Sequence, residues 1–158
     1  MEIKKEVKNG MPLIRLVGAI DETMSEIGAI QFDGQRILEV NCREITRVTS
    51  IGIMRWVKSF KVLREQGIKL QFTECSPTII RQGSMLLTGF LRKDEITSIG
   101  LPFFCEECRL ETITYNLVSE LEKVNFELPE ISCKNCGKHA EFDDVPELYF
   151  QVFQQDES

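Results

Sequence analysis

The sequence predicts an α/β protein, in which a mixed sheet with packed helices is followed by a small metal-binding module that ends in a helix. Three observations predict this fold: an opening pair of strands, alternating strand-like and helix-like segments up to about residue 100, and a cysteine-led pattern after it. A chain of 158 residues with 42% hydrophobic residues can bury one core of ordinary size and a small appendage. We therefore expect one domain over residues 1–100 and a second module over residues 101–158.

The first strands are predicted from turn chemistry and apolar runs. Asn9-Gly10 suits the positive φ of a hairpin turn, and it separates two strand-like segments within residues 1–20. Residues 21–35 have a weak helical period and contain two glycines, so at most a short helix fits there. Residues 36–42 have the aliphatic character and the length of a buried strand.

A helix is predicted after a polar break at residues 43–50. Apolar residues recur at the spacing of a helix that packs on a sheet: Ile53, Trp56, Val57, Phe60 and Leu63. Gly67 ends this helix at the position of a C-cap glycine. The next segments are a strand over residues 68–75, a short helix from Ser76-Pro77 to about Leu87, and a strand near residues 96–99.

Composition and charge argue against several classes of protein. The formal net charge is −6 and the pI is about 5.0, so the summed field repels phosphate backbones and nucleic acid is the least favoured partner. The first residues are not followed by an apolar signal segment, and no stretch approaches the roughly 18 apolar residues of a membrane span. We therefore expect a cytoplasmic protein without a membrane-inserted segment.

Four of the six cysteines form two Cys-x-x-Cys pairs, Cys105 with Cys108 and Cys133 with Cys136. In a chain without an export signal, this pattern favours metal ligands over disulfides. The 24 residues between the pairs suffice for a small ribbon that brings both pairs to one tetrahedral zinc ion. Four thiolates leave no open position for water, so we expect structural zinc. A redox dithiol or a disulfide pair is the alternative.

Three further residues, one histidine and two cysteines, are also possible metal ligands by residue type. His139 is the single histidine and lies three residues after Cys136, so a ligand set of three cysteines and His139 is geometrically conceivable, although four cysteines suffice. Cys42 and Cys75 stand alone, and each ends an apolar run. We interpret both as buried thiols that act as small hydrophobic residues.

A final helix is predicted from Asp144, which can cap it, with Pro146 in the first turn and Glu147 three residues after the cap. Its apolar stripe comprises Leu148, Tyr149, Val152 and Phe153. The stripe is interpreted as core, with an exposed docking surface as the alternative.

Several motifs within residues 1–100 follow the pattern of a known family. They are Gly18-Ala19-Ile20-Asp21 at the end of the second strand, residues 37–41 as a third strand, residues 47–52 as a loop before an amphipathic helix, Ser76-Pro77, and Leu87-Thr88-Gly89-Phe90. On these motifs, the segment resembles the STAS domains of bacterial anti-sigma factor antagonists. The resemblance implies a STAS-like mixed sheet with packed helices and a non-enzymatic role in signalling. The cysteine module is an addition to that pattern.

The same resemblance implies a switch loop. In the family, a partner kinase that is also the anti-sigma factor phosphorylates the serine after an aspartate in this loop. The corresponding phospho-acceptor here is Ser50, and Thr49 stands at the aspartate position. The implied partner-binding residues are Asp21, Thr49, Gly52, Arg55 and Lys58.

Residue chemistry leaves two interpretations of this region open. A serine at the start of a predicted helix is an N-cap, and a phosphate at the same place would be stabilised by the helix dipole. The following helix presents Arg55, Lys58, Lys61 and Arg64 away from its apolar stripe. This basic face is interpreted as a solvated surface, with an acidic protein partner as the alternative.

Two functions follow from these features. The first is a regulatory protein-interaction module whose contact surface is the Ser50 loop and the helix to Gln66, with a protein partner such as a kinase that is also an anti-sigma factor. The second is a scaffold or adaptor that is not phosphorylated and docks through the zinc module or the last helix. An enzyme is least favoured because we identify no Ser-His-Asp set with the single histidine, and no Gly-rich phosphate loop occurs.

Overall fold

A computed structural model describes residues 1–27, 34, 36–86 and 89–155 of the chain. Its first sheet contains strands β1 (Glu2–Lys8), β2 (Met11–Ile20), β3 (Ile37–Val48) and β4 (Lys69–Thr73) in the order β1-β2-β3-β4. β1 and β2 pair antiparallel, whereas β2, β3 and β4 are parallel, so the sheet is mixed. The hairpin predicted at Asn9-Gly10 is confirmed, with φ values of 53° and 77°.

Two helices follow the parallel strands β3 and β4, and their apolar residues contribute to the core. Helix α1 (Ser50–Glu65) follows β3, and helix α2 (Pro77–Met85) follows β4, as the sequence pattern predicts. Trp56 and Phe60 of α1 are fully buried against Phe72 of β4, with ring centroids 5.4 and 5.1 Å from that of Phe72. The indole N–H of Trp56 donates to the backbone oxygen of Phe90 at 2.8 Å, so the buried ring also has its polar atom satisfied.

The C-terminal part forms a second sheet in the order β6-β5-β8-β7. Its elements are β5 (Ser98–Cys105), β6 (Leu110–Leu117), helix α3 (Val118–Lys123), β7 (Ile131–Ser132), β8 (His139–Phe142) and helix α4 (Pro146–Tyr149). All its strand pairs are antiparallel. A 3-10 helix over Phe150–Gln154 follows α4 directly.

Strand β5 belongs to both parts of the molecule. Isolated parallel bridges join Phe72 of β4 to Ile96, just before β5, and Cys75, just after β4, to Ile99 of β5. The start of β5 therefore lies beside the end of β4, while its whole length pairs with β6. The boundary predicted between residues 100 and 101 therefore lies inside strand β5. The strand predicted near residues 96–99 likewise continues further, to Cys105. The reason is burial: nearly every residue of β5 is buried, so one core continues across the predicted boundary.

The segment before α1 differs from the prediction, and two other predictions lie partly or wholly outside the described residues. The polar break predicted at residues 43–50 is mostly strand, because β3 continues to Val48 with Ile45 buried and its neighbours exposed, in register with the end of β2. The segment of the predicted short helix, residues 21–35, lies partly outside the described residues, because 28–33 and 35 are not described, and Leu87, the predicted end of α2, lies outside them as well. In the described part, α2 ends at Met85.

The final helix is shorter than predicted and begins differently. Asp144 does not cap it; its carboxylate accepts a hydrogen bond from the Arg81 side chain of α2 at 2.6 Å. Tyr149 and Val152 of the predicted stripe are buried, whereas Leu148 is 58% exposed. Tyr149 is tied to α2, because its backbone oxygen accepts from the Ser84 hydroxyl at 2.7 Å. Among the helices of the described residues, none is long and apolar enough to cross a membrane.

Candidate metal centre and the surface of helix α1

The first cysteine pair lies in the turn that joins β5 to β6. Cys105 is the last residue of β5, and Cys108 lies two residues before β6. The turn closes with a hydrogen bond from the Arg109 amide to the Cys105 carbonyl at 2.8 Å, and Arg109 has a left-handed φ of 55°. This local geometry aims both thiols to the same side of the turn.

The second pair lies in the turn between β7 and β8. Cys133 follows β7 directly, and its amide donates to the Lys138 carbonyl at 2.7 Å. The Gly137 amide donates to the Cys133 carbonyl at 2.9 Å, and Gly137 has a φ of 74°, which favours glycine. Both cysteine pairs therefore lie in the tight turns of two hairpins that the sheet places side by side.

The four sulfur atoms form one group. All lie within 4.8 Å of one another, and the Sγ atoms of Cys105 and Cys136 are 3.6 Å apart. A tetrahedral ion with metal–sulfur bonds of about 2.3 Å needs sulfurs about 3.8 Å apart, whereas a disulfide needs about 2.05 Å. All six cysteines are free thiols, so the geometry fits a metal ion and not a disulfide.

Hydrogen-bond donors in the second turn favour the thiolate form of Cys133. Amide N–H groups of Cys136 and Asn135 lower the pKa of Cys133 to about 7. At Cys105 the amide of Cys108 acts in the same direction, but burial and the neighbouring thiols outweigh it and raise the pKa. The Asn135 side-chain amide donates to the Cys108 sulfur at 3.2 Å.

His139 lies outside this group of sulfurs. Its side chain is exposed, and its Nδ1 atom lies 3.2 Å from a carboxylate oxygen of Glu130. The group of possible ligands contains four cysteines and no histidine among the described residues. The structure therefore favours the four-cysteine ligand set over the set with His139.

The start of helix α1 differs from the prediction by one residue. The N-cap is Thr49, whose side-chain oxygen accepts a hydrogen bond from the Gly52 amide at 3.1 Å. Ser50 is the first helical residue and is exposed, so the capping role assigned to it is wrong. Thr49 is the N-cap because its backbone is extended, at φ −109° and ψ 163°. In this conformation a side chain can reach the free amides of the first helical turn.

Asp21 and Gly52, two of the predicted contact residues, are used inside the fold. The Asp21 carboxylate is mostly buried, accepts from the Thr23 amide at 2.9 Å, and lies 3.3 Å from the Arg47 guanidinium. These hydrogen bonds from Thr23, with the N-terminal ammonium and Arg47, lower the pKa of Asp21. Gly52 is buried against the end of β2, where a Cβ atom would overlap the carbonyl group of Ile20.

Arg55 and Lys58 lie at a groove beside α1. The groove has a volume of about 670 Å³ and is lined by Met24, Glu26, Ile51, Met54, Arg55, Lys58, Ser59 and Val62. We call it the α1 groove. The Arg55 guanidinium donates to the Met24 carbonyl at 3.3 Å, and the Lys58 ammonium lies 3.9 Å from Glu26.

The sequence analysis did not identify the exposed apolar residues of this groove. Ile51 is 54% exposed and Met54 is 72% exposed. Their positions, three residues apart and outside the core stripe of the helix, are the signal that could have identified them. This face of α1 therefore carries exposed apolar residues beside basic ones.

Arg64 is a correction to the predicted basic face. Its Nε atom donates to both carboxylate oxygens of Glu95, at 2.8 and 3.2 Å, and only 15% of its side chain is exposed. Burial raises the pKa of Glu95, and Arg64 opposes that rise. Arg64 therefore ties the end of α1 to the 3-10 helix at Lys93–Glu95 and does not belong to a solvated face.

Comparison with known proteins gives no assignment: no family model matches the chain, and no curated protein or solved structure matches it significantly. Function therefore has to be inferred from the four-cysteine group and the surface of α1.

Proposed function

We propose that the chain is a cytoplasmic, non-enzymatic regulatory module that binds another protein through the start of α1, as the STAS-like anti-sigma factor antagonists do, and carries a structural zinc ion. The observation that carries the proposal is the exposed Ser50 next to the α1 groove. Because Thr49 caps the helix, the Ser50 hydroxyl is not needed for folding. Within the described part of the chain, that hydroxyl has no hydrogen-bond partner.

A phosphate on Ser50 would change this surface without changing the fold. It would lie at the N-terminal end of a 16-residue helix, where the helix dipole stabilises negative charge. It would add close to two negative charges beside Ile51 and Met54, the exposed apolar residues that a partner would cover. Phosphorylation would therefore weaken binding by a partner that recognises the apolar and basic surface.

The experiment has two parts. Mass spectrometry of protein purified from its native cells tests for phosphate on Ser50. The affinity of wild type, Ser50→Ala and Ser50→Asp is then measured for a partner recovered by pull-down, and we expect only Ser50→Asp to bind at least about tenfold more weakly. Equal binding by all three would reject a switch at Ser50 and would leave the scaffold that docks without phosphorylation as the better hypothesis.

Zinc is our proposal for the metal. Four thiolates in a tetrahedral arrangement are typical of structural zinc, and they leave no position for a reacting water. Metal analysis by inductively coupled plasma mass spectrometry should give one zinc per chain. The same analysis of Cys108→Ser should give none, because one thiolate is lost from the set. A full complement of zinc in Cys108→Ser would reject this ligand set.

A further inference from the structure

Charge is unevenly distributed along the chain. Residues 1–100 contain 15 of the 19 Lys and Arg and 12 of the 25 Asp and Glu, a net charge of +3. Residues 101–158 contain 4 Lys and Arg and 13 Asp and Glu, a net charge of −9. Two copies of such a chain attract each other when the basic part of one faces the acidic part of the other.

The α1 groove is the place on the basic part where an apolar contact can form. Ile51 and Met54 are more than half exposed, and Val62 is 37% exposed, so the floor and rim offer apolar surface to a partner. Arg55 and Lys58 border the same groove. The ion pair of Lys58 with Glu26 is 3.9 Å long between side chains that are each about three quarters exposed, so it holds Lys58 only weakly.

Helix α3 and its flanking residues carry the complementary surface on the acidic part. Val118 and Leu121 of α3 are buried, whereas Leu117 and Val124 at its two ends are 50% and 51% exposed. Three exposed glutamates lie on the same segment, Glu120, Glu122 and Glu127. We call Leu117, Glu120, Glu122, Val124 and Glu127 the acidic ridge. Leu117 is the last residue of β6 and Val124 is the C-cap of α3, so one exposed apolar residue lies at each end of the helix, with Glu120 and Glu122 between them.

We propose that the α1 groove of one copy binds the acidic ridge of a second copy. Leu117 and Val124 would cover Ile51 and Met54, and Glu120 would exchange its exposed pair with Lys123, at 3.1 Å, for one with Lys58 or Arg55. Exposed pairs of this kind contribute little, so the exchange costs little, while the apolar contact removes four exposed side chains from water.

The contact is heterologous, because the two surfaces lie on different elements of the chain. Each bound copy still has a free groove or a free ridge, so association continues as chains or closes as rings. An interface of a groove and a short helix is at the small end of protein interfaces, which predicts weak association that depends on concentration. Its ionic part predicts that salt weakens it further.

This inference concerns the same groove as the proposed function and adds a regulatory consequence, since a copy whose groove holds a ridge cannot bind its protein partner there. It does not require the proposed function to hold. Self-association is measured on the purified chain alone, whereas the proposed function is measured with a recovered partner, so the two can fail separately.

Sedimentation velocity of the full chain tests the proposal at about 10 to about 500 µM and at about 20 mM and about 500 mM NaCl. We expect the weight-average sedimentation coefficient to rise with concentration in low salt and to stay constant in high salt. Lys58→Glu and Glu120→Lys should each weaken association about tenfold or more. Lys5→Glu on β1 makes the same charge change as Lys58→Glu at an exposed site outside the groove and should associate like wild type.

Mixing the two variants distinguishes a groove–ridge contact from any other. Glu120→Lys retains an intact groove and Lys58→Glu retains an intact ridge, so an equimolar mixture should associate more strongly than either variant alone. A monomer at every concentration in low salt would overturn the proposal. Association that both variants retain, or that the mixture fails to restore, would overturn it as well.

Discussion

At the residue scale, two neighbouring hydroxyl residues at the start of α1 have different environments. The Thr49 side chain holds the Gly52 amide, whereas Ser50 is exposed on the first turn. These neighbouring hydroxyl residues therefore differ in structure: Thr49 caps the helix, whereas the Ser50 side chain is exposed and takes no part in the cap.

Thr49→Ala should lower the free energy of unfolding by about 1 kcal/mol, because the Gly52 amide loses its partner. Ser50→Ala should change it by less than about 0.5 kcal/mol, as is usual for an exposed site without such a role. Urea denaturation followed by the fluorescence of the single, fully buried Trp56 measures both values. A larger loss of unfolding free energy for Ser50→Ala than for Thr49→Ala would show that Ser50, and not Thr49, caps the helix.

Asp21 gives the second prediction at this scale, on pH. Its folded pKa is lowered by hydrogen bonds from Thr23 and by nearby positive charge, so the folded state favours the carboxylate. The resulting stability is present above the ordinary aspartate pKa of about 3.9 and is lost as the pH falls through the lowered folded pKa.

Asp21→Asn should therefore melt below wild type near neutral pH, and the difference in Tm should shrink as the pH falls below about 4. Differential scanning fluorimetry across this pH range measures the difference in Tm between the two proteins. Any acid sensitivity of the cysteine site is the same in both, so it cancels in that difference. A difference that stays constant with pH would mean that the Asp21 charge does not stabilise the fold.

At the element scale, the approach of α1 to β2 depends on Gly52. The glycine lies against the carbonyl group of Ile20, and the Thr49 amide donates to that same carbonyl oxygen at 2.9 Å. The end of β2 and the first turn of α1 therefore meet backbone to backbone, with no room for a side chain. This contact places Asp21 beside the start of the helix.

Gly52→Ala should cost about 3 kcal/mol, because a Cβ atom cannot be accommodated without moving the helix away from the strand. Gly83→Ala in α2 is the matched control. There the new Cβ would lie 2.7 Å from the Leu91 Cδ1 atom and 3.3 Å from its Cβ and Cγ atoms, so a side chain and not a backbone carbonyl must shift, and alanine favours the helix. We therefore expect a smaller loss of stability for Gly83→Ala than for Gly52→Ala. Equal unfolding free energies for both variants in urea would contradict the close approach at Gly52.

At the scale of the whole molecule, the two sheets are coupled through β5 and α2. β5 pairs with both sheets, and the C-terminal segment is held to α2 by the Ser84 hydroxyl and by the Arg81 ion pair with Asp144. The Arg43 guanidinium of β3 also lies over the Tyr115 ring of β6, 4.4 Å from its centroid. The cysteine site should therefore influence more than its own turns.

If Cys133 is a metal ligand, as we propose, Cys133→Ser should lower amide protection about tenfold or more in β7, β8 and the turn at residues 105–108. A smaller loss should reach α2, because its partners Asp144 and Tyr149 follow β8 in the chain. β1, β2 and the core of α1 should keep their protection. Hydrogen exchange with mass spectrometry makes the measurement.

Lys134→Ser is the control for this experiment, since it changes an exposed residue of the same turn and leaves all four cysteines in place. It should exchange like wild type. Unchanged protection throughout Cys133→Ser would show that the second sheet folds without the cysteine site.

Much of this protein is determined by local sequence. The Asn9-Gly10 turn, the apolar stripe of α1, the start of α2 at Ser76-Pro77 and the two Cys-x-x-Cys turns were all predictable. Each depends on residues close together in the chain, where backbone preference and periodicity act directly.

Only the tertiary structure decided the rest. It extended β3 through a polar segment because β2 offered pairing partners, and it carried β5 across the predicted boundary because the core continues there. It assigned the cap to Thr49 and buried Arg64 with Glu95, 31 residues away. These outcomes depend on which distant groups meet, and the free energy of burial and pairing between distant segments is not encoded in any single stretch of sequence.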